Sequence, residues 1–126
     1  MKNEINTDDA PKAIGPYSQA IKTGNLLFIS GQIPIDPKTA SVIEGSFKDK
    51  VKQVFKNLEN ICIAGDTKLN NAVKLNIFLT DLAKFSQVNE VMESIFTKPY
   101  PARATIEISA LPLGVEVEID AVVVSE

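Results

Sequence analysis

Apolar residues recur at helical spacing from residue 47 onward. Phe47, Val51, Val54, Phe55, Leu58, Ile61 and Cys62 form one stripe, and Lys48, Lys50, Lys52, Lys56 and Glu59 mostly take the other side. Ser46 is placed to cap this helix. Ser46-Phe47-Lys48-Asp49 approximates a capping box, with Asp in place of the preferred Glu or Gln, and Gly65 follows the stripe as a stop. Asn71 to Thr80 alternates instead. Val73, Leu75, Ile77 and Leu79 share one strand face, with Lys74, Asn76 and Phe78 on the other. A second helix follows, with Asp81 as its cap and Phe85, Val88, Met92, Ile95 and Phe96 as its stripe. Pro99 and Pro101 end it.

The two ends of the chain read as strand and turn. Tyr17 to Lys22 and Leu26 to Ser30 flank Thr23-Gly24-Asn25, a hairpin signal. Gly31 to Pro37 is a stiff extended stretch whose two prolines argue against a central strand, and Ser41 to Ile43 can form a short one. Ala102 to Ile108 and Val115 to Val124 flank a loop containing Pro112 and Gly114, which predicts a β-hairpin tail. No linker, repeat or low-complexity tract interrupts the pattern. The expectation is one domain over residues 1–126, of α+β class, with two helices on one face of a mixed sheet.

Composition narrows the chemistry. The chain has 126 residues, no His, no Trp and one Cys; 12 of its 13 basic residues are Lys, and the other is Arg103. Ser-His and Cys-His nucleophile pairs are excluded, as are His-based zinc sites, and a lone Cys makes no thiolate cluster. No metal or cofactor motif appears. A net charge of -3 gives no general attraction to nucleic acid. No apolar run reaches the ~20 residues of a membrane span, and Met1 to Asn6 has no apolar signal core, so a cytoplasmic location is expected. Cys62 reads as a packed helix residue.

The strand period then makes a specific prediction. Arg103, Thr105 and Glu107 share one face of the first tail strand, and Glu116, Glu118 and Asp120 share the polar face of the second. If the tail pairs apolar side to apolar side, the only guanidinium fork lies on the same sheet face as several carboxylates. That face is either solvated, as in many antiparallel sheets, or part of a polar pocket where Arg103 holds an anion and a carboxylate activates water. Gly15-Pro16-Tyr17 reads first as a turn with a half-buried aromatic, and otherwise as part of a site. Ser30-Gly31 either ends a strand or admits a ligand, and Asn89 reads as a helix-edge polar residue.

Taken together, Ala13-Ile14-Gly15-Pro16-Tyr17-Ser18-Gln19, Ile29-Ser30-Gly31-Gln32-Ile33-Pro34, Asn89, Pro101-Ala102-Arg103-Ala104 and Val117-Glu118-Ile119-Asp120-Ala121 resemble the RidA (YjgF-like) family of reactive enamine/imine deaminases, across essentially the whole chain. The resemblance implies a chorismate-mutase-like α+β domain that assembles as a homotrimer, sheets inside, with three clefts between subunits. It implies that Arg103 binds the carboxylate of a 2-imino or 2-enamino acid and that Glu118 holds the attacking water. Tyr17, Ser30, Gly31 and Asn89 match cleft positions, Tyr17 with a catalytic part. Thr105 stands where many members have Cys, and the role there belongs mainly to the backbone.

The implied activity is hydrolysis of 2-aminoacrylate, 2-iminobutanoate or their kin to 2-oxo acids and ammonia, as a 2-iminobutanoate/2-iminopropanoate deaminase with no cofactor. The expected partners are small 2-imino and 2-oxo carboxylic acids. Such imines already react with water, so positioning can supply most of the rate and no histidine is required. Two other readings compete, and a chaperone-like role through exposed apolar surface is a third. A regulatory module that binds small carboxylates without turnover would need Arg103 but not Glu118. Ribonuclease action with translation inhibition sits poorly with the acid charge and the absent His.

Overall fold

The structure is a computed structural model and describes residues 1–125. Eight strands and two α-helices run in the order β1 (Asn3–Ile5), β2 (Ala20–Thr23), β3 (Leu26–Gln32), β4 (Ile35–Asp36), β5 (Ser41–Val42), α1 (Phe47–Ala64), β6 (Ala72–Leu79), α2 (Phe85–Ile95), β7 (Ala102–Glu107) and β8 (Val117–Val124). The main sheet has the order β1-β2-β3-β8-β6-β7. Only the β6–β7 pair is parallel, and β4 and β5 form a separate ribbon.

The first helix follows its sequence signals. Ser46 accepts a hydrogen bond from Asp49 N, and the Asp49 carboxylate accepts from Ser46 N, so the Asp-for-Glu capping box forms. Its stripe buries Val51, Val54, Phe55, Leu58, Ile61 and Cys62 against the sheet and against α2. Asp81 instead caps a 3-10 turn at Leu82–Lys84, and α2 begins only at Phe85, without a side-chain cap. Helix α2 buries Val88, Val91 and Met92, while Phe85 and Ile95 are exposed, so its inward face is rotated from the predicted stripe.

The hairpin tail does not form. Strand β7 pairs in parallel with β6, and β8 inserts between β3 and β6, antiparallel to both. The loop after β7 crosses the end of β6, where Ile108 N donates to Leu79 O and Thr80 N donates to Glu116 O. Burial explains the choice. Val117, Ile119, Ala121 and Val123 are all buried in the central slot, whereas β7 has no fully buried residue and takes an edge.

That topology also reverses the predicted face of Arg103. In the β6–β7 register, Leu75, Ile77 and Leu79 stand beside Arg103, Thr105 and Glu107. Those three β6 residues belong to the buried core beneath the helices. Asn76 and Phe78 pair with Asp120 and Glu118 on the opposite, helix-free face. Arg103 and the β8 carboxylates therefore lie on opposite faces of the sheet. Val73 also leaves its predicted face. The ladder slips between Ala72 and Lys74, so Ala72 turns inward and Val73 is exposed.

Candidate functional site

The sequence-predicted site residues form two clusters. The first lies between the edge strand β7 and helix α2. Arg103 reaches from β7 so that Nη1 donates to Asn89 Oδ1 at 2.5 Å and approaches the Met92 sulfur at 3.6 Å. Asn89, placed on α2 one residue from buried Val88, thus steers the guanidinium. A cavity of about 210 Å³ opens beside them, lined also by Glu93, Tyr100 and Pro101. Tyr100 was not singled out from sequence; the run of prolines around it reads as a helix stop and hides its cavity-facing role. Thr105 is two residues along β7 from Arg103, and its hydroxyl is buried with no partner among the described residues. No residue of the β8 carboxylate trio lines this cavity.

The second cluster lies between the N-terminal segment, β3 and β8. It surrounds a cavity of about 450 Å³ lined by Tyr17, Ser30, Gly31 and Glu118, with Lys12, Ile14 and Ile33 among its other walls. Strand β3 carries one extra residue here: Ile29 pairs with Ala121 and Gln32 with Ile119, so Ser30 and Gly31 together oppose one residue of β8. The bulge presses Gly31 onto Glu118. A Cβ at Gly31 would stand 2.5 Å from Glu118 Oε2, so the glycine is needed for close approach. The Ser30 hydroxyl donates to Ser18 O at 2.6 Å, tying the bulge to the strap before β2. Tyr17 is half exposed, and its hydroxyl accepts from Ile14 N at 3.3 Å. Gly15 enables this turn with φ of 130°.

Alternation on β8 left three carboxylates equivalent, and their partners now distinguish them. Glu116 is paired with Lys84 at 2.5 Å. Asp120 accepts from Asn76 Nδ2 at 2.8 Å. Glu118 has no protein hydrogen bond or ion pair among the described residues and faces the cavity. Burial, and then the charge of Asp120, push its carboxyl above the usual carboxylate range. Such a group exchanges a proton with water more readily near neutral pH than an ordinary surface carboxylate. Cys62 is a contrast: burial pushes its thiol up to about 12, so it is neutral and inert.

Two buried polar side chains that alternation did not flag fix backbone segments around the second cavity. Gln19 is sealed from solvent and binds the N-terminal strap, accepting from Thr7 N and donating to the carbonyls of Thr7 and Pro11 at 2.7–3.0 Å. Asn57 of α1 donates to Ile35 O at 2.9 Å and fixes the segment after β3. The only signal for either was a polar residue at an inward position of its element. Among the described residues no three His, Cys, Asp or Glu side chains converge as a metal set. No helix among the described residues is long and apolar enough to cross a membrane.

Comparison with known proteins adds a family. Residues 7–125 match the family described as endoribonuclease L-PSP. A RutC family protein of Pyrococcus horikoshii is 48% identical over 126 residues, covering all of both chains. A 2-iminobutanoate/2-iminopropanoate deaminase of Dermatophagoides farinae is 39% identical, over 99% of this chain and 98% of its own. Among solved structures, RidA from an Antarctic Psychrobacter superposes with a TM-score of 0.94 at 47% identity, covering 98% of this chain and 99% of its own. TdcF of E. coli, solved with bound serine, gives 0.91 at 34% identity, covering 98% and 99%.

Proposed function

From a chain that belongs to the endoribonuclease L-PSP family, which takes in the RidA and RutC proteins, we propose a hydrolytic deaminase that converts 2-imino and 2-enamino acids to 2-oxo acids and ammonia. The observation that carries the reading is the division of the site. The guanidinium fork and the proton-exchanging carboxylate lie on opposite sheet faces of one chain, each beside its own open cavity. A symmetric assembly, a homotrimer in this proposal, joins the Arg103 cavity of one subunit to the Glu118 cavity of the next and gives three equivalent clefts. The deaminase and the serine-bound protein among the relatives support a small carboxylate as the ligand class.

In that cleft Arg103, steered by Asn89, grips the substrate carboxylate through two parallel hydrogen bonds. Backbone groups at Thr105 and Gly31 contact the carboxylate or the imine nitrogen, and Tyr17 walls the site and offers a hydroxyl. Glu118 accepts a proton from water as its oxygen bonds to the C=N carbon. The carboxyl returns that proton to nitrogen, which completes the carbinolamine; it then takes the carbinolamine hydroxyl proton and passes it to the amine as the C–N bond breaks, so that ammonia leaves and the hydroxyl becomes the carbonyl of the 2-oxo acid. Substrates of this class react with water unaided, so orientation by a fork and one proton carrier suffices.

The test is 2-oxobutanoate or pyruvate release in an assay coupled to a dehydratase that generates the imine. Arg103→Lys keeps the charge and loses the fork, and kcat/KM is expected to fall on the order of 100-fold. Glu118→Gln should lower kcat while a stable 2-oxo acid still binds. Turnover unaffected by Glu118→Gln, with binding lost in Arg103→Lys, would instead mark a carboxylate-binding module.

A further inference from the structure

Glu118 does not stand alone on its face of the sheet. Asp120 follows it two residues along β8, on the same side, and Asn76 of β6 lies directly opposite Asp120 in the ladder. Asn76 Nδ2 donates to Asp120 Oδ1 at 2.8 Å, which fixes the Asp120 carboxylate in direction. We propose that Asp120, held by Asn76, is a positioning residue that keeps Glu118 able to carry a proton between the attacking water and the departing nitrogen. The proposal rests on the deaminase reading above.

The surroundings of Glu118 leave few other groups for that task. Phe78 stands opposite it on β6 and brings no charge. Gly31 on β3 brings backbone alone, packed so closely that the carboxylate cannot swing toward that strand. Glu116, the acid just before β8, is paired with Lys84. Tyr17 and Lys12 line the same cavity from the N-terminal segment, and both are exposed. Lys74 of β6 shares this face opposite Val122 but makes no ion pair with Asp120 among the described residues, and the Arg103 that the proposed cleft brings across from the next subunit is taken up by the substrate carboxylate, so Asp120 is the fixed acid beside Glu118 on its own strand. A like charge two residues along the same strand face favours the protonated form of its neighbour. The direction agrees with burial, which also pushes the Glu118 carboxyl upward.

The chemistry needs both protonation states in one turnover. Glu118 must be ionised when it takes the proton from water and must then release that proton to the amine of the carbinolamine. A carboxyl of ordinary acidity is a poor base toward water, and efficiency improves as its affinity for the proton approaches the working pH. Asp120 supplies that increase without touching substrate. The Asn76 amide holds the Asp120 carboxylate in place on this face.

The decisive measurement is direct titration of Glu118 by carboxyl carbon NMR, with its resonance assigned from its loss in Glu118→Gln. Asp120→Asn preserves size and a partner for Asn76, and the Glu118 midpoint is expected to move down. Asp120→Glu keeps the charge and should restore the higher midpoint. In parallel, kcat of Asp120→Asn should fall about tenfold with KM changed less than about twofold, and the acid limb of its pH profile should move down with the NMR midpoint. If Asp120→Asn does not fold, Asp120→Ser serves for the same comparison. An unmoved Glu118 midpoint would overturn the coupling whatever the activity. A midpoint that moves in wild-type-like folded protein without any imine turnover would overturn the deaminase reading, and the proton-carrying role with it.

Discussion

Glu118 illustrates how a single position acquires its properties from neighbours distant in sequence. Its carboxyl is raised by burial and by Asp120, and Gly31 forms the wall on which it packs. The sign of the stability effect follows. A carboxyl raised above its unfolded value favours folding fully at low pH, and that contribution is lost as pH rises through the folded value. Glu118→Gln is therefore expected to be more stable than the parent at neutral pH, with the difference vanishing below about pH 4, near the range of an unfolded glutamate. Thermal unfolding of both proteins across that range checks the sign. A variant less stable than the parent at pH 7 would show that the carboxylate makes a favourable contact that these neighbours do not account for.

At the scale of elements, the residues most exposed to misreading are those whose partners lie in another element. Helix α1 was legible because its stripe, cap and stop are all local. The faces of β6 were legible except at Val73, where a slip in the ladder turns the side chain outward. Gln19 carried only the weak signal of a polar residue at an inward position, yet it ties the strap from Thr7 to Pro11 against β2. Gln19→Ala would leave several backbone groups of the strap without a partner, at a cost of about 1–3 kcal/mol. Urea unfolding measures that loss, and amide exchange at Thr7, whose N–H bonds to Gln19, should rise with it. Slow exchange retained at Thr7 would show that packing, rather than Gln19, holds the strap.

For the whole molecule, the separation of Arg103 from Glu118 is the fact that shapes every functional argument. One chain presents a fork on the helix side of the sheet and a carboxylate on the open side. If each cleft takes one half from each of two subunits, two inactive variants should rescue each other. Mixing Arg103→Ala with Glu118→Gln chains after dissociation and reassembly should return about one quarter of parental turnover, the share of clefts with both halves intact in a randomly mixed cyclic assembly. Reassembled mixtures that remain as inactive as either variant would refute a shared site.

What the sequence determined by itself is whatever depends on near neighbours or on composition. This includes the capped helix α1, the apolar faces of β6 and β8, the absence of imidazole chemistry and the uniqueness of Arg103. Motif resemblance also marked Arg103 and Asn89 beside one cavity and Tyr17, Ser30, Gly31 and Glu118 beside the other. Only the tertiary structure decided which strand lies beside which, and so which face each polar row takes. Period two groups residues within a strand but is blind to pairing between strands, so a tail that reads as a hairpin could equally straddle β6. The burial of four alternate residues of β8 settled the matter, drawing that strand into the sheet centre and leaving Arg103 on an edge strand, on the far face from Glu118.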